Sequence, residues 1–191
     1  IQTLRTSPIK GTARVASELL EKDQTENIMI VDLVRNDLGQ VCESGSVRVV
    51  DLLRIEQHPG LVHLVSDVEG TLPVGTDWNK IFAALLPPGS VSGAPKSSAL
   101  EVIQRLENGT RGIYCGGFGW VNADEQTAEL AVGIRTFWQG VQTGVNSLHF
   151  GTGAGITWSS DPIGEWHETE LKASRLLSIA AMSSGTTFNQ V

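Results

Sequence analysis

The order of helix-like and strand-like segments is the feature that most constrains how this chain can fold. Helix-like patterns cover residues 12–21, 23–38, 78–86, 95–106 and the stretch from 161 onward. Strand-like patterns cover residues 46–53, 61–68, 113–121, 129–138 and 145–151. Because strands come in runs and do not alternate one by one with helices, the order predicts an α+β fold, with residues 46–53 and 61–68 as sheet neighbours.

Local signals define the ends and faces of several helices. Asp23-Gln24-Thr25-Glu26 resembles a capping box that opens a helix. Ile30, Val34 and Leu38 then recur every four residues along one face. Pro95 suits the first position of a later helix. The inner face of the last helix is predicted to hold Trp166, Ala173, Leu177 and Ala180.

Composition excludes two classes of partner. The chain has 191 residues, of which 40% are hydrophobic, enough for a folded domain with a substantial core. Its 14 Lys and Arg residues against 21 Asp and Glu residues give a net charge of -7, so no global positive field would attract nucleic acid or an anionic membrane. An anionic ligand would therefore need a local site.

Cysteine usage and the first residues bear on the compartment. Cys42 and Cys115 fit neither a Cys-x-x-Cys pair nor a disulfide framework, so two ordinary buried thiols in a reducing compartment are expected. No apolar run reaches the roughly 20 residues of a membrane span. The sequence starts without an initiator Met or a signal peptide. We therefore expect a soluble cytoplasmic protein that has lost an N-terminal part.

Acidic side chains near both ends of the chain are candidate ligands for a hard cation. Glu165, Glu168 and Lys172 lie three and four residues apart, so they project from one face of the last helix. By spacing alone, a solvated face with a Glu to Lys ion pair is the simpler interpretation. Glu26 adds a carboxylate of the kind that Mg²⁺ prefers, but it would serve equally as the reciprocal residue of the capping box.

Two glycine-rich segments resemble anion-binding loops only in part. Gly151-Thr152-Gly153-Ala154-Gly155 would let backbone N–H groups approach an anion, but it lacks the dinucleotide spacing, and tight turns of this composition are common. In Gly89-Ser90-Val91-Ser92-Gly93-Ala94-Pro95-Lys96 the Lys does not directly follow the second Gly, which argues against nucleotide binding. Ser92 and the helix N-terminus near Pro95 are still expected to face a site.

Two basic side chains fall on predicted strands. His63 lies in an apolar alternating strand, where a hydrogen-bonded core histidine is the commoner outcome. Arg135, which follows Ala131-Val132-Gly133-Ile134, needs an anionic partner, and a planar carboxylate suits its guanidinium group. A protein carboxylate and a substrate carboxylate are equally acceptable partners.

Taken together, these residues resemble the chorismate-binding enzymes, which include anthranilate synthase component I, aminodeoxychorismate synthase component I, and the isochorismate and salicylate synthases. Seven stretches carry the resemblance, in the family's order and over nearly the whole chain. They are residues 8–12 (PIKGT), 26–38 (ENIMIVDLVRNDL), 63–66 (HLVS), 89–96 (GSVSGAPK), 134–136 (IRT), 153–155 (GAG) and 165–172 (EWHETELK). The resemblance implies part of a four-layer α/β/β/α fold, with two packed antiparallel sheets flanked by helices.

The resemblance also implies a role for each matched position. Glu26 and Glu168, with Glu165 nearby, would bind Mg²⁺, and this ion would hold the ring carboxylate of chorismate. His63 would lie near the departing hydroxyl group. The positions implied to bind or line the substrate are Gly11, Thr12, Ser92, Lys96, Tyr114, Arg135, Gly153, Ala154, Gly155 and Lys172.

Lys10 distinguishes the branches of the family. Anthranilate and isochorismate synthases usually carry Ala where this chain has Lys10, whereas aminodeoxychorismate synthases carry Lys. A lysine amine becomes a nucleophile once a base takes its proton. The resemblance implies that Lys10 adds to the chorismate ring as the allylic hydroxyl leaves, and that ammonia then displaces the lysine. A surface lysine after a proline turn is the alternative.

The favoured function is therefore that of aminodeoxychorismate synthase component I, which converts chorismate and ammonia to 4-amino-4-deoxychorismate on the para-aminobenzoate and folate route. The ammonia would come from a glutamine amidotransferase subunit. Anthranilate synthase component I, on the tryptophan route, is one alternative. A non-catalytic chorismate-binding fragment is another.

Residues 1–182 are interpreted as the C-terminal portion of the catalytic domain, and residues 183–191 as a disordered polar tail. The resemblance implies that the N-terminal half of the family domain is missing from this sequence, together with a Ser-Pro-Glu-Arg stretch whose Glu is assigned an acid–base role in the family. Apolar surface that this half would cover favours a homodimer of the piece.

We expect the isolated chain to show little or no synthase activity, because it lacks that Glu and half of the domain. Turnover of chorismate by the purified chain, with Mg²⁺ and ammonia, measures this directly. Robust turnover would contradict the expectation.

Overall fold

The computed structural model describes residues 2–142, 145–158 and 160–184. The chain divides into two compact units, a first that ends at Asn108 and a second that begins at Gly109. Both contain antiparallel strands and helices, which confirms the α+β fold class. The four-layer packing and the domain boundary at residue 182 remain predictions. Within the described ranges, no helix is long and apolar enough to cross a lipid bilayer.

The first unit is built on a four-stranded antiparallel sheet with a long central strand. This strand, β4 (Leu61–Leu72), pairs along one edge with β3 (Arg48–His58). Along its other edge it pairs in succession with β2 (Ile9–Ala13) and β1 (Gln2–Thr6). The two strands predicted between residues 46 and 68 are thus confirmed as neighbours, and both are longer than predicted.

Helix α1 (Glu21–Gly39) packs one face against this sheet. Val34 and Leu38 are buried there together with Val68 of β4, and Ile30 packs partly buried against them. The predicted four-residue spacing is therefore confirmed. Burial of one such side chain contributes about 1.5–3 kcal/mol, so this face largely holds the helix on the sheet.

The helix predicted for residues 12–21 is wrong. Thr12 belongs to β2, and only a single 3-10 turn, Ala16–Glu18, precedes α1. The backbone of β2 pairs with β4, and a tertiary pairing of this kind overrides local helix propensity.

The start of α1 also differs from the predicted capping box. The Asp23 carboxylate accepts a hydrogen bond from the Leu20 N–H at 2.9 Å, one turn earlier than predicted. Glu26 lies in the second turn of the helix. Its carboxylate is therefore not used for capping and points to other partners.

Three shorter helices follow the sheet, α2 (Trp78–Leu85), α3 (Gly89–Ser92) and α4 (Lys96–Leu106). The helices predicted over residues 78–86 and 95–106 are confirmed to within one residue. Pro95 is the residue before α4 rather than its first.

The second unit contains two separate hairpins. β5 (Gly117–Asn122) pairs with β6 (Thr127–Val132), and β7 (Phe137–Gln142) pairs with β8 (Val145–Phe150).

The single strand predicted over residues 129–138 is wrong, because residues 133–136 are irregular and separate β6 from β7. The Ile134 N–H donates to the Val132 carbonyl in a tight turn, and Arg135 has a φ of +52°. A non-glycine residue in this left-handed region is uncommon in proteins. Arg135 therefore lies in an irregular connection instead of at the end of a strand.

Helix α5 (Pro162–Ser184) begins where the sequence predicts, and Asp161 caps it by accepting a hydrogen bond from the Gly164 N–H at 2.7 Å. The tail predicted from residue 183 starts inside this helix, and residues 185–191 lie outside the described ranges.

The predicted inner face of α5 is buried only in part. Ala173 is buried, and Leu177 and Ala180 are partly buried. Trp166 is 57% exposed, so its placement on this face is wrong. Partly buried residues occur along the helix from Glu165 to Ala181, and Ala173 is its only buried residue among those described.

One buried amide connects α1 to three strands. Asn27 is fully buried, and its Nδ2 donates to the carbonyls of Lys10 at 3.2 Å and Leu64 at 3.0 Å. Its Oδ1 accepts a hydrogen bond from Ser66 Oγ at 2.6 Å. Ser66 Oγ in turn accepts a hydrogen bond from the Leu53 N–H of β3 at 3.0 Å. Every polar group of the amide has a partner, as burial requires.

Replacing Asn27 by Ala is expected to destabilise the first unit by about 2–4 kcal/mol, because two carbonyls and a hydroxyl group lose a buried partner. Urea titration measures this free energy of unfolding. Asn79→Ala, at an exposed position of α2, is the matched control and should change it by less than about 0.5 kcal/mol. Equal effects of the two substitutions would contradict the importance of the network.

Candidate active site

A β-bulge in β2 shapes the first group of predicted site residues. Ile9 pairs with Val65 and Thr12 pairs with His63, so β2 has one residue more than β4 between the two pairs. The extra residue falls at Lys10-Gly11. A bulge of this kind redirects a side chain away from the regular alternation of the strand.

The bulge depends on Gly11. This residue has a φ of +102°, and a Cβ atom on it would lie 3.0 Å from Asp23 Cβ and 3.2 Å from Leu64 Cβ. Both observations favour glycine at this position. The hydrogen bond from Asn27 to the Lys10 carbonyl holds the neighbouring residue of the bulge in place.

The bulge places the Lys10 amine next to a carboxylate. Lys10 Nζ lies 2.9 Å from Glu26 Oε2, and Lys22 Nζ lies 3.5 Å from Glu26 Oε1. The Lys10 and Glu26 side chains are 36% and 22% exposed, so a ligand can reach both. The structure thus brings the predicted nucleophile together with one of the predicted metal ligands. A carboxylate at this distance is also a candidate proton acceptor for the amine.

Thr12 and His63 form a second pair beside the bulge. Thr12 Oγ1 lies 2.9 Å from His63 Nδ1, and the tautomer of the ring decides which of them donates. The His63 ring also contacts the ring of His58, with centroids 4.9 Å apart. His63 is therefore a half-exposed strand residue with polar neighbours, not a core histidine.

Ser92 and Lys96 make contacts elsewhere in the first unit. Ser92 Oγ donates to the Pro88 carbonyl at 2.9 Å. Lys96 Nζ lies 2.9 Å from Asp37 Oδ2 and donates to the Ala84 carbonyl at 2.6 Å. Asp37 is a buried residue of α1, Ala84 belongs to α2 and Lys96 begins α4, so these contacts link the three helices. A substrate-binding role for Ser92 and Lys96 stays a prediction.

The second unit gathers another group of predicted site residues around Lys172. Lys172 Nζ donates to the Gly153 carbonyl at 3.3 Å and pairs with Glu168. Arg135 Nη1 donates to the Lys172 carbonyl at 3.3 Å. This partner of Arg135 is a backbone carbonyl instead of the anion that the sequence predicts. Ala154 and Gly155 follow Gly153 in an irregular segment after β8, in which residues 151–157 form no turn.

Tyr114 packs against the same glycine-rich segment, residues 151–155. A Cβ atom on Gly151 would lie 2.3 Å from Tyr114 Cγ, and one on Gly153 would lie 2.7 Å from the Tyr114 hydroxyl oxygen. Both glycines are thus needed for the ring to lie against the backbone. The Arg111 guanidinium lies 5.5 Å from the centre of that ring.

The carboxylates of α5 are chemically suitable ligands for a hard cation. Glu165 accepts a hydrogen bond from Ser160 Oγ at 2.7 Å, and Glu168 follows one turn later on the helix. Carboxylate oxygens are the ligands that Mg²⁺ prefers. Across residues 2–142, 145–158 and 160–184, no three His, Cys, Asp or Glu side chains form a group that could bind a metal. The predicted set of Glu26, Glu165 and Glu168 therefore stays a prediction.

The structural role of Asn27, which anchors the bulge through the Lys10 carbonyl, was not predicted from the sequence. Asn27 precedes Val31, Val34 and Leu38 by four, seven and eleven residues, so it occupies a buried position of the same helix face. A polar residue in an apolar stripe was the signal that could have identified it.

A second missed residue is Asp67, which is buried in β4. It accepts a hydrogen bond from Ser7 Oγ at 2.6 Å and pairs with Arg5 at 2.9 Å and Arg54 at 3.3 Å. Burial raises the pKa of Asp67, but the hydrogen bond from Ser7 and the two arginines outweigh this and hold the pKa below its ordinary value. These contacts make Asp67 a structural ion-pair centre of the sheet.

Comparison with known proteins gives consistent matches. The chorismate binding enzyme family matches residues 2–178. Anthranilate synthase component 1 of Aquifex aeolicus is 40% identical over 186 residues, which cover 91% of this chain and 37% of that protein. The crystal structure of anthranilate synthase component I from Streptococcus pneumoniae matches with a TM-score of 0.73 and 34% identity, covering 90% of this chain and 39% of that one. MenF, the menaquinone-specific isochorismate synthase from Escherichia coli, matches with a TM-score of 0.71 and 26% identity, over 92% and 42% of the two chains.

The chain belongs to the chorismate-binding enzyme family, which confirms the resemblance carried by its seven sequence stretches. It spans 36–43% of the length of three anthranilate synthase relatives.

The glycine-rich segment of residues 151–155 provides a test of the second group. Gly151→Ala should destabilise the chain by about 1–3 kcal/mol, because the new methyl group overlaps the Tyr114 ring near its attachment point. Gly153→Ala should cost less, since it meets only the hydroxyl end of that side chain. Thermal unfolding measures both. Gly109→Ala, where a Cβ atom meets nothing within 4 Å, is the control, and a loss at Gly151 no greater than this control would contradict the packing.

Proposed function

We propose that this chain carries catalytic residues of an enzyme that aminates chorismate. Its family membership and its similarity to anthranilate synthases support chorismate as the substrate and ammonia as the second reactant. The observation that carries the proposal within the chain is the Lys10 amine, presented by a bulge 2.9 Å from the Glu26 carboxylate.

In the proposed reaction Glu26 takes a proton from Lys10, and the free amine adds to the chorismate ring as the allylic hydroxyl leaves. His63 gives a proton to the departing hydroxyl, which leaves as water. Ammonia then forms the new C–N bond, and the bond from the ring to Lys10 breaks. The balance is chorismate plus ammonia to an aminated chorismate plus water.

The remaining predicted residues are proposed to bind the substrate and its metal. Mg²⁺ would neutralise the ring carboxylate of chorismate, and Glu165 and Glu168 of the second unit would hold it. Glu26, the third carboxylate of the predicted set, acts in this proposal as the proton acceptor of Lys10. Substrate binding is assigned to Gly11 and Thr12 in the first unit, and to Tyr114, Arg135, Lys172 and residues 153–155 in the second. The contacts of these groups with each other support a built site in each unit.

Two products compete within this proposal. The named relatives are anthranilate synthases, which favours the 2-amino product, anthranilate. Anthranilate forms when the chorismate aminated at position 2 also loses its enolpyruvyl group as pyruvate. One observation favours the 4-amino product, 4-amino-4-deoxychorismate: the lysine of Pro8-Ile9-Lys10-Gly11-Thr12 and its contact with Glu26. The comparisons add no support to the 4-amino assignment, so Lys10 alone carries it. In either case ammonia from a glutamine amidotransferase subunit is part of the proposal.

The test compares Lys10→Ala with Lys22→Ala in the natural full-length protein, given chorismate, Mg²⁺ and ammonia. For the 4-amino reaction Lys10→Ala should lower kcat by several orders of magnitude, because a covalent nucleophile is lost. Lys22→Ala is the matched control, since Lys22 pairs with the other oxygen of Glu26, and it should stay within about threefold.

Product identification by mass and retention completes the test. Anthranilate from the wild type, with Lys10→Ala nearly as active, would establish the 2-amino alternative and remove the nucleophile role of Lys10. Binding of chorismate without any turnover would contradict amination and support a non-catalytic module.

A further inference from the structure

Two side chains beside His63 have no part in the proposed reaction. Glu56 of β3 is the direct pairing partner of His63 across the sheet. His58, two residues further along β3, contacts the His63 ring at a centroid distance of 4.9 Å, with the ring planes at 63°. Glu56 Oε1 lies 3.0 Å from His58 Nε2. On the opposite side, Thr12 contacts His63 Nδ1.

Glu56 is itself held in place. Arg54 Nη1 donates to Glu56 Oε2 at 2.9 Å, so both carboxylate oxygens have partners. The hydrogen bond from Arg54 is the largest cause that keeps the pKa of Glu56 below its ordinary value, and the charge of His58 acts in the same direction. Glu56 is therefore an ionised and oriented neighbour at neutral pH.

We infer that Glu56 and His58 are positioning residues for His63, which fix its ring and set the pH at which it changes charge. This inference rests on the proposed function, because that function gives His63 its task as a proton donor. On the β3 side, His63 is flanked by Glu56 and His58, with Arg54 behind Glu56. From β2 it meets the uncharged Thr12.

Helix α1 packs on the other face of the sheet, where Ser66 and Val68 point. The β3 pair thus lies on the same face of the sheet as the His63 ring. A positive His58 disfavours a positive His63, whereas the negative Glu56 favours it. The His58 ring lies 4.9 Å from the His63 ring, and Glu56 is the residue directly opposite His63, so each effect is expected to amount to about half a pH unit even with the screening of water.

The experiment follows the ring signals of His63 by NMR in this chain across pH, assigned by their loss in His63→Gln. His58→Gln should raise the midpoint of the His63 titration by about half a unit, and Glu56→Gln should lower it by a similar amount. Both side chains are more than a third exposed, so the variants should fold. Glu101→Gln, an exposed carboxylate on α4, is the charge control and should leave the midpoint unchanged.

Midpoints that stay at the wild-type value in both variants, or that move in the same direction, would overturn the inference. In the full-length protein, one limb of the plot of kcat against pH should report the charge of His63. His58→Gln should raise the midpoint of that limb and Glu56→Gln should lower it, and each should change KM by less than about twofold. Opposite NMR shifts in a protein that does not aminate chorismate would leave the coupling standing and reject the proposed function. Failure of the inference on His63 and failure of the proposed function can therefore be distinguished.

Discussion

The arrangement of the first unit depends on the hydrogen bonds of one buried amide. Asn27 lies on the apolar face of α1 and reaches into the sheet, where it binds the carbonyls of Lys10 and Leu64 and the hydroxyl of Ser66. An amide without partners at this depth would cost about as much free energy as several exposed ion pairs contribute. These hydrogen bonds therefore favour the observed register of the helix on the sheet, in which Glu26 lies next to Lys10.

Several candidate functional residues in each unit lie where regular structure is interrupted. In the first unit a bulge in β2 presents Lys10 and Gly11. In the second unit Arg135 occupies a left-handed conformation between two hairpins. The glycine-rich segment after β8 brings backbone close to Tyr114 and Lys172. Regular strands and helices supply a rigid frame, and the interruptions aim side chains and backbone groups that the frame alone would direct elsewhere.

The sequence was sufficient for the features that depend on local pattern. The spacing of Val34 and Leu38 predicted the buried face of α1, and alternation predicted the pair β3 and β4. The sequence was not sufficient where the local structure is determined by contacts with residues that are distant in the chain. Residues 12–21 look helical in isolation, and their strand-like start follows only from pairing with β4. The contact between Lys10 and Glu26 joins a bulge to a helix, and neither the bulge nor the docking register of α1 is visible in the composition of either segment.

We propose that the protein transfers nitrogen to chorismate, whereas one of its structural relatives is an isochorismate synthase. Incubation of the full-length protein with chorismate, Mg²⁺ and ¹⁵N-labelled ammonia, followed by mass analysis of the product, shows whether nitrogen is transferred. We expect a product that contains one ¹⁵N atom, with the amino group at ring position 2 or 4. A nitrogen-free isomer of chorismate as the sole product would contradict it.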